Sequence, residues 1–274
     1  MENSTAIKNT ELFLFDMDGT LYLGDRIFDF TISLLETLKT NGRRYLFMTN
    51  NSSKSVNDYI KKLKKLGIEA TREDFITSSQ ATAYYLKKHH KNAILYVCGT
   101  QSLKDELISE GFTVSENLEE IECIVMGFDT ELTFKKLEDV CKLLLTKDLP
   151  YIATNPDYVC PTEFGSVPDC GSVCDMIFNA TGKRPLVIGK PEPLMPQLAM
   201  EKYRISADKT AVIGDRIYTD IKSGLNAGAK AILVMSGETT KEILEASSTK
   251  PDIVLNDCSE ITRVFSAAES LISK

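Results

Sequence analysis

The sequence contains no tryptophan and only two histidines, which are adjacent at His89 and His90 in a lysine-flanked polar run. Histidine is the usual ligand of catalytic zinc and the usual base of a Ser-His-Asp triad. Two histidines in such a run are typical of the solvated end of a helix. The chain therefore has almost no histidine available for a zinc site or for a Ser-His-Asp triad.

Long apolar runs and excess positive charge are also missing. No stretch reaches the roughly 18 apolar residues that a membrane-spanning helix needs. The opening segment MENSTAIKNTE lacks an apolar secretion signal, so the odd count of seven cysteines favours reduced thiols. The net charge of −7 excludes nucleic acid and anionic membranes as the expected main partners. We therefore expect a cytoplasmic protein, in which an anionic ligand would need a metal ion or individual lysines.

Short apolar runs alternate with helix-periodic segments along most of the chain, as in Leu12–Phe15 and the helix-like segment that follows it. This order predicts an α/β fold with a Rossmann-like parallel-sheet core and helices on both faces. We expect the core domain to comprise residues 1–89 and 184–274. Residues 90–183 are predicted to form an inserted α/β domain, interrupted by a loop at 155–171 that is rich in proline and glycine.

Four polar clusters follow predicted strands of the core. They are Asp16 and Asp18, Thr49-Asn50-Asn51, Lys190 after a strand at 186–188, and Asp215 with Asp220. Ligands of open parallel sheets bind outside the carboxyl ends of the strands, so neighbouring strands would bring these groups into one pocket.

Carboxylates gathered in one pocket repel one another, and a hard divalent cation such as Mg²⁺ removes that repulsion. Lys190 and Thr49 add a positive charge and a hydroxyl donor for an anion, which together suit a phosphoryl group. One of the two residues Asp16 and Asp18 can act as the nucleophile and the other as the general acid and base. Gly19 frees the backbone for a tight turn.

Each cluster also has an ordinary interpretation when it is taken alone. Asp-x-Asp-Gly is common in turns and calcium loops, and a Thr-Asn-Asn segment is usually a helix cap. Lys190 before a proline is usually a surface lysine, and Gly214-Asp215 is often only a turn. The combination in this order, at strand ends, favours a catalytic site.

The four segments FDMDGTLY, Thr49-Asn50-Asn51, Gly189-Lys190-Pro191 and GDRIYTD resemble the four motifs of the haloacid dehalogenase (HAD) superfamily. The large insert resembles the α/β cap of its p-nitrophenylphosphatase-like branch, subfamily IIA. The resemblance covers nearly the whole chain. It implies a Mg²⁺-dependent phosphatase that forms an aspartyl-phosphate, and a homodimer paired through the cap.

The resemblance also implies a role for each acidic residue. Asp16 would be the nucleophile and a metal ligand. Asp18 would protonate the leaving group, activate water and bind the metal through its backbone carbonyl. Asp215 would be the third protein ligand of the metal, and Asp220 would orient the metal's waters or support Lys190. An acid at Asp18 disfavours carbon–halogen chemistry, because dehalogenases of this fold lack one there.

Substrate contacts follow from the same resemblance. Lys190 would neutralise charge on the nucleophile and the phosphate, Thr49 would hydrogen-bond the phosphoryl group, and Asn50 and Asn51 would lie beside it. In the cap, Asn155 and Asp157 are candidates for contacts to the leaving group, although ordinary Asx-turn roles fit them equally well.

Three cysteines and a proline of the predicted cap also bear on its possible substrate and metal binding. Cys160 stands before Pro161 where some pyridoxal-phosphate phosphatases have a histidine, which puts a vitamin phosphate in doubt. Cys160, Cys170 and Cys174 lack the spacing of a zinc knuckle, so we interpret them as small buried hydrophobes.

The expected substrate is a small phosphate ester: a sugar phosphate, a phosphoglycolate-like compound or a nucleotide monophosphate, with p-nitrophenyl phosphate as an artificial one. Two alternatives remain, namely a phosphotransferase of the same superfamily and a non-catalytic binding module that retained the fold.

Overall fold

A computed structural model describes residues 2–162 and 164–272 of the chain. The strands in this part are β1 (Leu12–Phe15), β2 (Tyr22–Leu23), β3 (Arg26–Ile27), β4 (Arg44–Thr49), β5 (Phe75–Thr77), β6 (Ile94–Cys98), β7 (Thr113–Val114), β8 (Cys123–Met126), β9 (Tyr151–Ala153), β10 (Val159–Thr162), β11 (Gly165–Pro168), β12 (Leu186–Val187), β13 (Thr210–Gly214), β14 (Lys230–Val234) and β15 (Ile253–Leu255).

The α-helices of the same part are α1 (Glu2–Asn9), α2 (Thr31–Thr40), α3 (Val56–Lys65), α4 (Ser78–His89), α5 (Gln101–Ser109), α6 (Phe134–Thr146), α7 (Cys170–Thr181), α8 (Leu194–Tyr203), α9 (Lys222–Asn226), α10 (Lys241–Ala246) and α11 (Ser259–Ile272). A π-helical turn, Ile217–Ile221, precedes α9. Across the residues that the structure describes, no helix combines the length and the apolar character that a membrane span requires.

The chain divides into two compact units. The first comprises Met1–Met48, Ile60–Ile76 and Lys190–Lys274, and the second comprises Thr49–Tyr59 and Thr77–Gly189. Three segments that the sequence predicted to lie in the core domain therefore group with the second unit, namely residues 49–59, 77–89 and 184–189.

A six-stranded sheet in the order β15-β14-β13-β1-β4-β5 is the centre of the first unit. β1 runs parallel to both of its neighbours, with Phe15 opposite Ile213 of β13 and Phe47 of β4. All four residues of β1 are fully buried, as its uninterrupted run of apolar residues predicts for the middle strand of a parallel sheet. The predicted α/β parallel-sheet class is confirmed.

The second unit contains a five-stranded parallel sheet in the order β12-β9-β8-β6-β7. Its edge strand β12 pairs with β9, with Leu186 opposite Ile152. The sequence-based expectation that the core sheet resumes at residues 186–188 was therefore wrong. A two-residue apolar strand carries no local signal of its partner, and half of Leu186 is exposed, as is usual at a sheet edge.

The segment expected to be a loop at 155–171 contains a β-hairpin instead. β10 and β11 are antiparallel, with Val159 opposite Pro168, and they form a separate two-stranded sheet. Both strands are edges, and an edge tolerates proline, which cannot donate to a ladder. The prolines and the glycine that suggested a loop therefore fit this hairpin.

Candidate active site

The ends of two adjacent core strands bring Asp16 and Asp215 together. Asp16 directly follows β1 and donates its backbone N–H to Ile213 O of β13 at 2.8 Å. Asp215 directly follows β13, and Asp220 lies in the π-helical turn after it. Asp16, Asp215 and Asp220 each offer a carboxylate oxygen, and these oxygens lie within 4.8 Å of one another. The clustering that we predicted from strand order is present for these three residues.

Lys190 joins this acidic cluster. Its Nζ donates to Asp16 Oδ1 and to Asp220 Oδ1, each at 2.6 Å, and to the backbone oxygen of Met48 at 3.3 Å. The side chain is 3% exposed, so the ammonium is held by carboxylates rather than by water. The interpretation of Lys190 as an ordinary surface lysine is therefore wrong.

The cluster is short of positive charge. Burial raises the pKa of Asp16 to about 8 against the opposing effect of Lys190, and the charges of Asp220 and Asp215 add to the rise. Burial and the charge of Asp220 raise the pKa of Asp215 to about 6. Burial alone would lower the pKa of Lys190, but the carboxylates of Asp16 and Asp220 outweigh it and raise that pKa. Arg216 also lowers the pKa of Asp215, but its guanidinium is paired with Glu238 at 2.9 Å, so the two cations do not balance the acids of the site.

The donor set fits a hard divalent cation. Carboxylate oxygens are the ligands that Mg²⁺ and Ca²⁺ prefer, and such an ion would supply the missing charge. Both oxygens of Asp220 already accept protein donors, Lys190 Nζ and the backbone N–H of Arg216 at 3.1 Å. Asp16 Oδ2 has no hydrogen-bond donor within the described residues, and its side chain is 15% exposed. Asp16 is therefore the best placed of the three carboxylates to bind a metal ion.

Three glycines shape the surroundings of these carboxylates, and one of them, Gly237, was not identified from the sequence. A Cβ on Gly237 would lie 2.0 Å from Asp215 Oδ2, and one on Gly214 would lie 2.3 Å from the Asp220 side chain. Gly19, which the sequence singled out for a tight turn, has φ +86°, and a Cβ there would lie 2.5 Å from Asp215 Oδ2. The residues 236–239 follow β14 at the carboxyl edge of the sheet, so strand order contained the signal for Gly237.

Donors to Asp215 were missed as well. The backbone N–H of Glu238 donates to Asp215 Oδ2 at 2.7 Å, and Thr20 Oγ1 lies 3.5 Å from Oδ1. Thr239 Oγ1 donates to the backbone oxygen of Asp215 at 2.5 Å. These contacts fix the orientation of the carboxylate.

The carboxylate of Asp18 lies outside the acidic cluster. Its Oδ1 accepts from the backbone N–H of Gly24 at 3.3 Å, its Oδ2 lies 3.9 Å from Lys62 Nζ, and its side chain is 53% exposed. Strand order alone did not reveal this separation. The role of Asp18 as a general acid and base stays a prediction.

The Thr49-Asn50-Asn51 segment begins at the last residue of β4 and belongs to the second unit. Thr49 Oγ1 accepts from the backbone N–H of Asn51 at 3.2 Å, and Asn51 Oδ1 accepts from Ser53 N at 2.9 Å. These are short-range turn contacts, as polar residues at a strand end commonly make. Their contact with a substrate stays a prediction.

The two cap candidates are buried and bonded to each other. Asn155 is fully buried and Asp157 is 6% exposed, and Asn155 Nδ2 donates to Asp157 Oδ2 at 2.9 Å. Asn50 Nδ2 donates to the same oxygen at 2.8 Å. A contact with a leaving group is untested for either residue.

The three cysteines that the sequence singled out lie in two environments. Cys170 and Cys174 are buried in its hydrophobic core, with their sulfur atoms 4.0 Å apart. Cys160 lies half-buried in β10. The interpretation as small buried hydrophobes is confirmed for Cys170 and Cys174 and was wrong for Cys160, because a two-stranded hairpin leaves its residues partly open to water.

Comparison with known proteins places this geometry in a family. The profile of haloacid dehalogenase-like hydrolases matches residues 13–113, and the HAD-hydrolase-like profile matches residues 187–261. An acid sugar phosphatase of Staphylococcus haemolyticus is 34% identical over 251 residues, which cover 92% of this chain and 95% of that protein. A 5′-nucleotidase of Bacillus subtilis is 34% identical over 254 residues, which cover 93% and 98%.

A solved structure of similar fold leads to the same family as these relatives. The 4-nitrophenylphosphatase of Thermotoga maritima has a TM-score of 0.91 and 40% identity, with 94% of this chain and 98% of that chain covered. The first profile match contains Asp16 and Thr49, and the second contains Lys190, Asp215 and Asp220. The chain therefore belongs to the haloacid dehalogenase superfamily, in its p-nitrophenylphosphatase-like branch, subfamily IIA.

Proposed function

We propose that this phosphoric monoester hydrolase cleaves small phosphorylated metabolites with the help of Mg²⁺ and a nucleophilic Asp16. The observation that supports it most strongly is the pair of 2.6 Å contacts from Lys190 Nζ to Asp16 and Asp220 within a buried group of three carboxylates. An arrangement that holds one carboxylate at a strand end beside a fixed ammonium suits nucleophilic attack on a phosphoryl group.

The chain's own residues would divide the reaction as follows. Asp16 attacks phosphorus through its carboxylate and the leaving-group oxygen departs, giving an aspartyl-phosphate. Asp18 turns from its contact with Gly24 to give a proton to that oxygen, and then takes a proton from the water that cleaves the acyl phosphate. Lys190 holds Asp16 in place and balances the charge of the phosphoryl oxygens.

Asp16 and Asp215, together with the backbone carbonyl of Asp18, would hold Mg²⁺. When bound, the ion would supply positive charge to offset that of the carboxylates and the phosphoryl group. Asp220 accepts from Lys190 and Arg216 N, which supports a role in fixing the ammonium. Thr49, Asn50 and Asn51 would contribute hydroxyl and amide donors to the phosphoryl group.

The substrate class is proposed from the relatives. An acid sugar phosphatase and a 5′-nucleotidase are similar to this chain over nearly its whole length, so sugar phosphates and nucleotide monophosphates are the first esters to test. We propose a cytoplasmic location, which is supported by seven cysteines that all lie in the described part and form no disulfide. A homodimer through the cap is supported by exposed apolar side chains on α6, Phe134 and Leu145.

The test is phosphate release from p-nitrophenyl phosphate and from a panel of sugar and nucleotide monophosphates, with Mg²⁺ or with excess chelator. We expect turnover that needs the metal and that disappears in Asp16→Asn, while Asp105→Asn, the same change at an exposed carboxylate of α5, leaves it intact. Turnover that survives Asp16→Asn would show that the nucleophile is misassigned. No turnover of any ester by the folded, Mg²⁺-loaded protein would favour a binding module.

A further inference from the structure

A buried polar network in the second unit connects the loop after β4 with the loop after β9. Asn50 Nδ2 donates to Asp157 Oδ2 at 2.8 Å, and Asn155 Nδ2 donates to the same oxygen at 2.9 Å. All three residues are more than nine-tenths buried. A hydrogen bond between residues 107 positions apart thus ties Asn50 to the cap loop.

The other carboxylate oxygen of Asp157 is left without a donor. Oδ1 is buried and has no hydrogen-bond partner among residues 2–162 and 164–272. A buried acceptor without a donor costs stability, and a buried carboxylate held only by amides costs more than an apolar side chain of similar size. A contribution to folding stability therefore does not account for the presence of a buried carboxylate at Asp157. Its hydrogen bond to Asn50, which holds that side chain in one orientation, accounts for it better.

Asn50 is fixed at further points. Its backbone oxygen accepts from Ser78 Oγ at 2.7 Å. Its Oδ1 packs against Gly189, where a Cβ would come within 2.6 Å of that oxygen. Asn50 directly follows Thr49, so a fixed Asn50 leaves the Thr49-Asn50-Asn51 segment little conformational freedom.

We propose that Asp157 is a positioning residue: it fixes the side-chain amide of Asn50 and thereby orients the Thr49-Asn50-Asn51 segment for the phosphoryl group. This inference rests on the proposed phosphatase function. It differs from the leaving-group contact that the family resemblance suggested for Asp157, because it assigns the function to the oxygen Oδ2, which accepts from Asn50 and Asn155.

Dependence on the leaving group separates the two roles. Every phosphate monoester presents the same phosphoryl group, so loss of positioning lowers kcat/KM by one common factor. We expect Asp157→Ala to lose about 10- to 100-fold for p-nitrophenyl phosphate and for a sugar phosphate alike. Asp157→Asn keeps an oxygen within reach of Asn50 Nδ2 and should stay within about threefold of wild type.

Two further variants exclude a merely structural effect. Adding Asp157→Ala to Asn50→Ala should cause no additional loss, because the two residues act through one contact. Asp139 is a matched control: it is another buried carboxylate of the second unit and accepts from Tyr96 Oη at 3.0 Å. Asp139→Ala should lower Tm and leave kcat/KM unchanged. Should Asp157→Ala fail to fold, Asp157→Ser provides a smaller change whose oxygen ends short of Asn50.

The outcomes are distinct. An equal loss for both esters that Asp157→Asn avoids supports the inference. A loss confined to the sugar phosphate, an additive double variant, or unchanged kcat/KM in a folded Asp157→Ala protein overturns it. Calorimetric binding of inorganic phosphate to the same variants should follow the same order. That readout tests positioning even if wild type hydrolyses neither ester, a result that would instead refute the proposed function.

Discussion

Replacing Lys190 with methionine should strongly destabilise the metal-free protein. The ammonium donates to Asp16 and Asp220 at 2.6 Å each, and the side chain is 3% exposed. Lys190→Met would leave three carboxylates with oxygens within 4.8 Å of one another and would remove the ammonium that contacts two of them. Breaking a buried ion pair from one side costs about 3–5 kcal/mol, and we expect the upper half of that range because two carboxylates lose their partner.

A charge-balanced double variant isolates the electrostatic part. Lys190→Met combined with Asp220→Asn removes one positive and one negative group. We expect it to regain about 2 kcal/mol relative to Lys190→Met. The loss of unfolding free energy in Lys190→Met should also be smaller at low pH. The pKa of Asp16 is raised to about 8, so that carboxyl takes up a proton readily.

The assay is urea unfolding in excess chelator, followed by circular dichroism because the chain has no tryptophan. The same unfolding curves with Mg²⁺ should show a larger metal stabilisation for Lys190→Met than for wild type. A loss below about 1 kcal/mol, or a double variant less stable than the single one, would refute the view that Lys190 neutralises the cluster.

Three other predictions follow from the same site. In chelator, the unfolding free energy should fall as pH rises from about 4 to 8. The reason is that Asp16 and Asp215, with folded-state pKa values of about 8 and 6, hold protons that the unfolded chain has already released. A urea midpoint that does not change with pH would contradict this. In Asp16→Asn that decline should weaken and the rise of Tm with Mg²⁺ should disappear, whereas a retained rise would place the metal elsewhere. Gly237→Ala should lower Mg²⁺-dependent kcat/KM by about 100-fold, because its Cβ would lie 2.0 Å from Asp215 Oδ2, whereas Gly42→Ala should cost stability alone; equal activities would contradict it.

The sequence predicted those parts of the site that depend on single strands. The run Leu12–Phe15 is short, wholly apolar and followed by acids, which is enough to place Asp16 at the end of a buried strand. The same logic placed Asp215 after β13. The sequence left open whether these two strands are neighbours, and the parallel pairing of β1 with β13 is what brings the two carboxylates together.

The remaining parts depend on contacts between distant segments. Lys190 follows β12, which pairs with β9 in the other sheet, and nothing in two apolar residues reveals that choice. The bond between Asn50 and Asp157 joins positions 107 residues apart, so no local pattern encodes it. Strand order places Gly237 after β14 at the sheet edge, but its close approach to Asp215 also depends on the pairing of β14 with β13.

The position of β1 in the middle of its sheet affects how enzymatic activity is lost on heating. β1 is hydrogen-bonded to a strand on each side and fully buried. Amide protons in such a strand exchange with solvent only when the whole unit opens. Asp16 leaves the sheet at the next residue, with its N–H still donated to Ile213 O. The proposed nucleophile is thus attached to the segment that opens last, and thermal inactivation should coincide with global unfolding of the first unit.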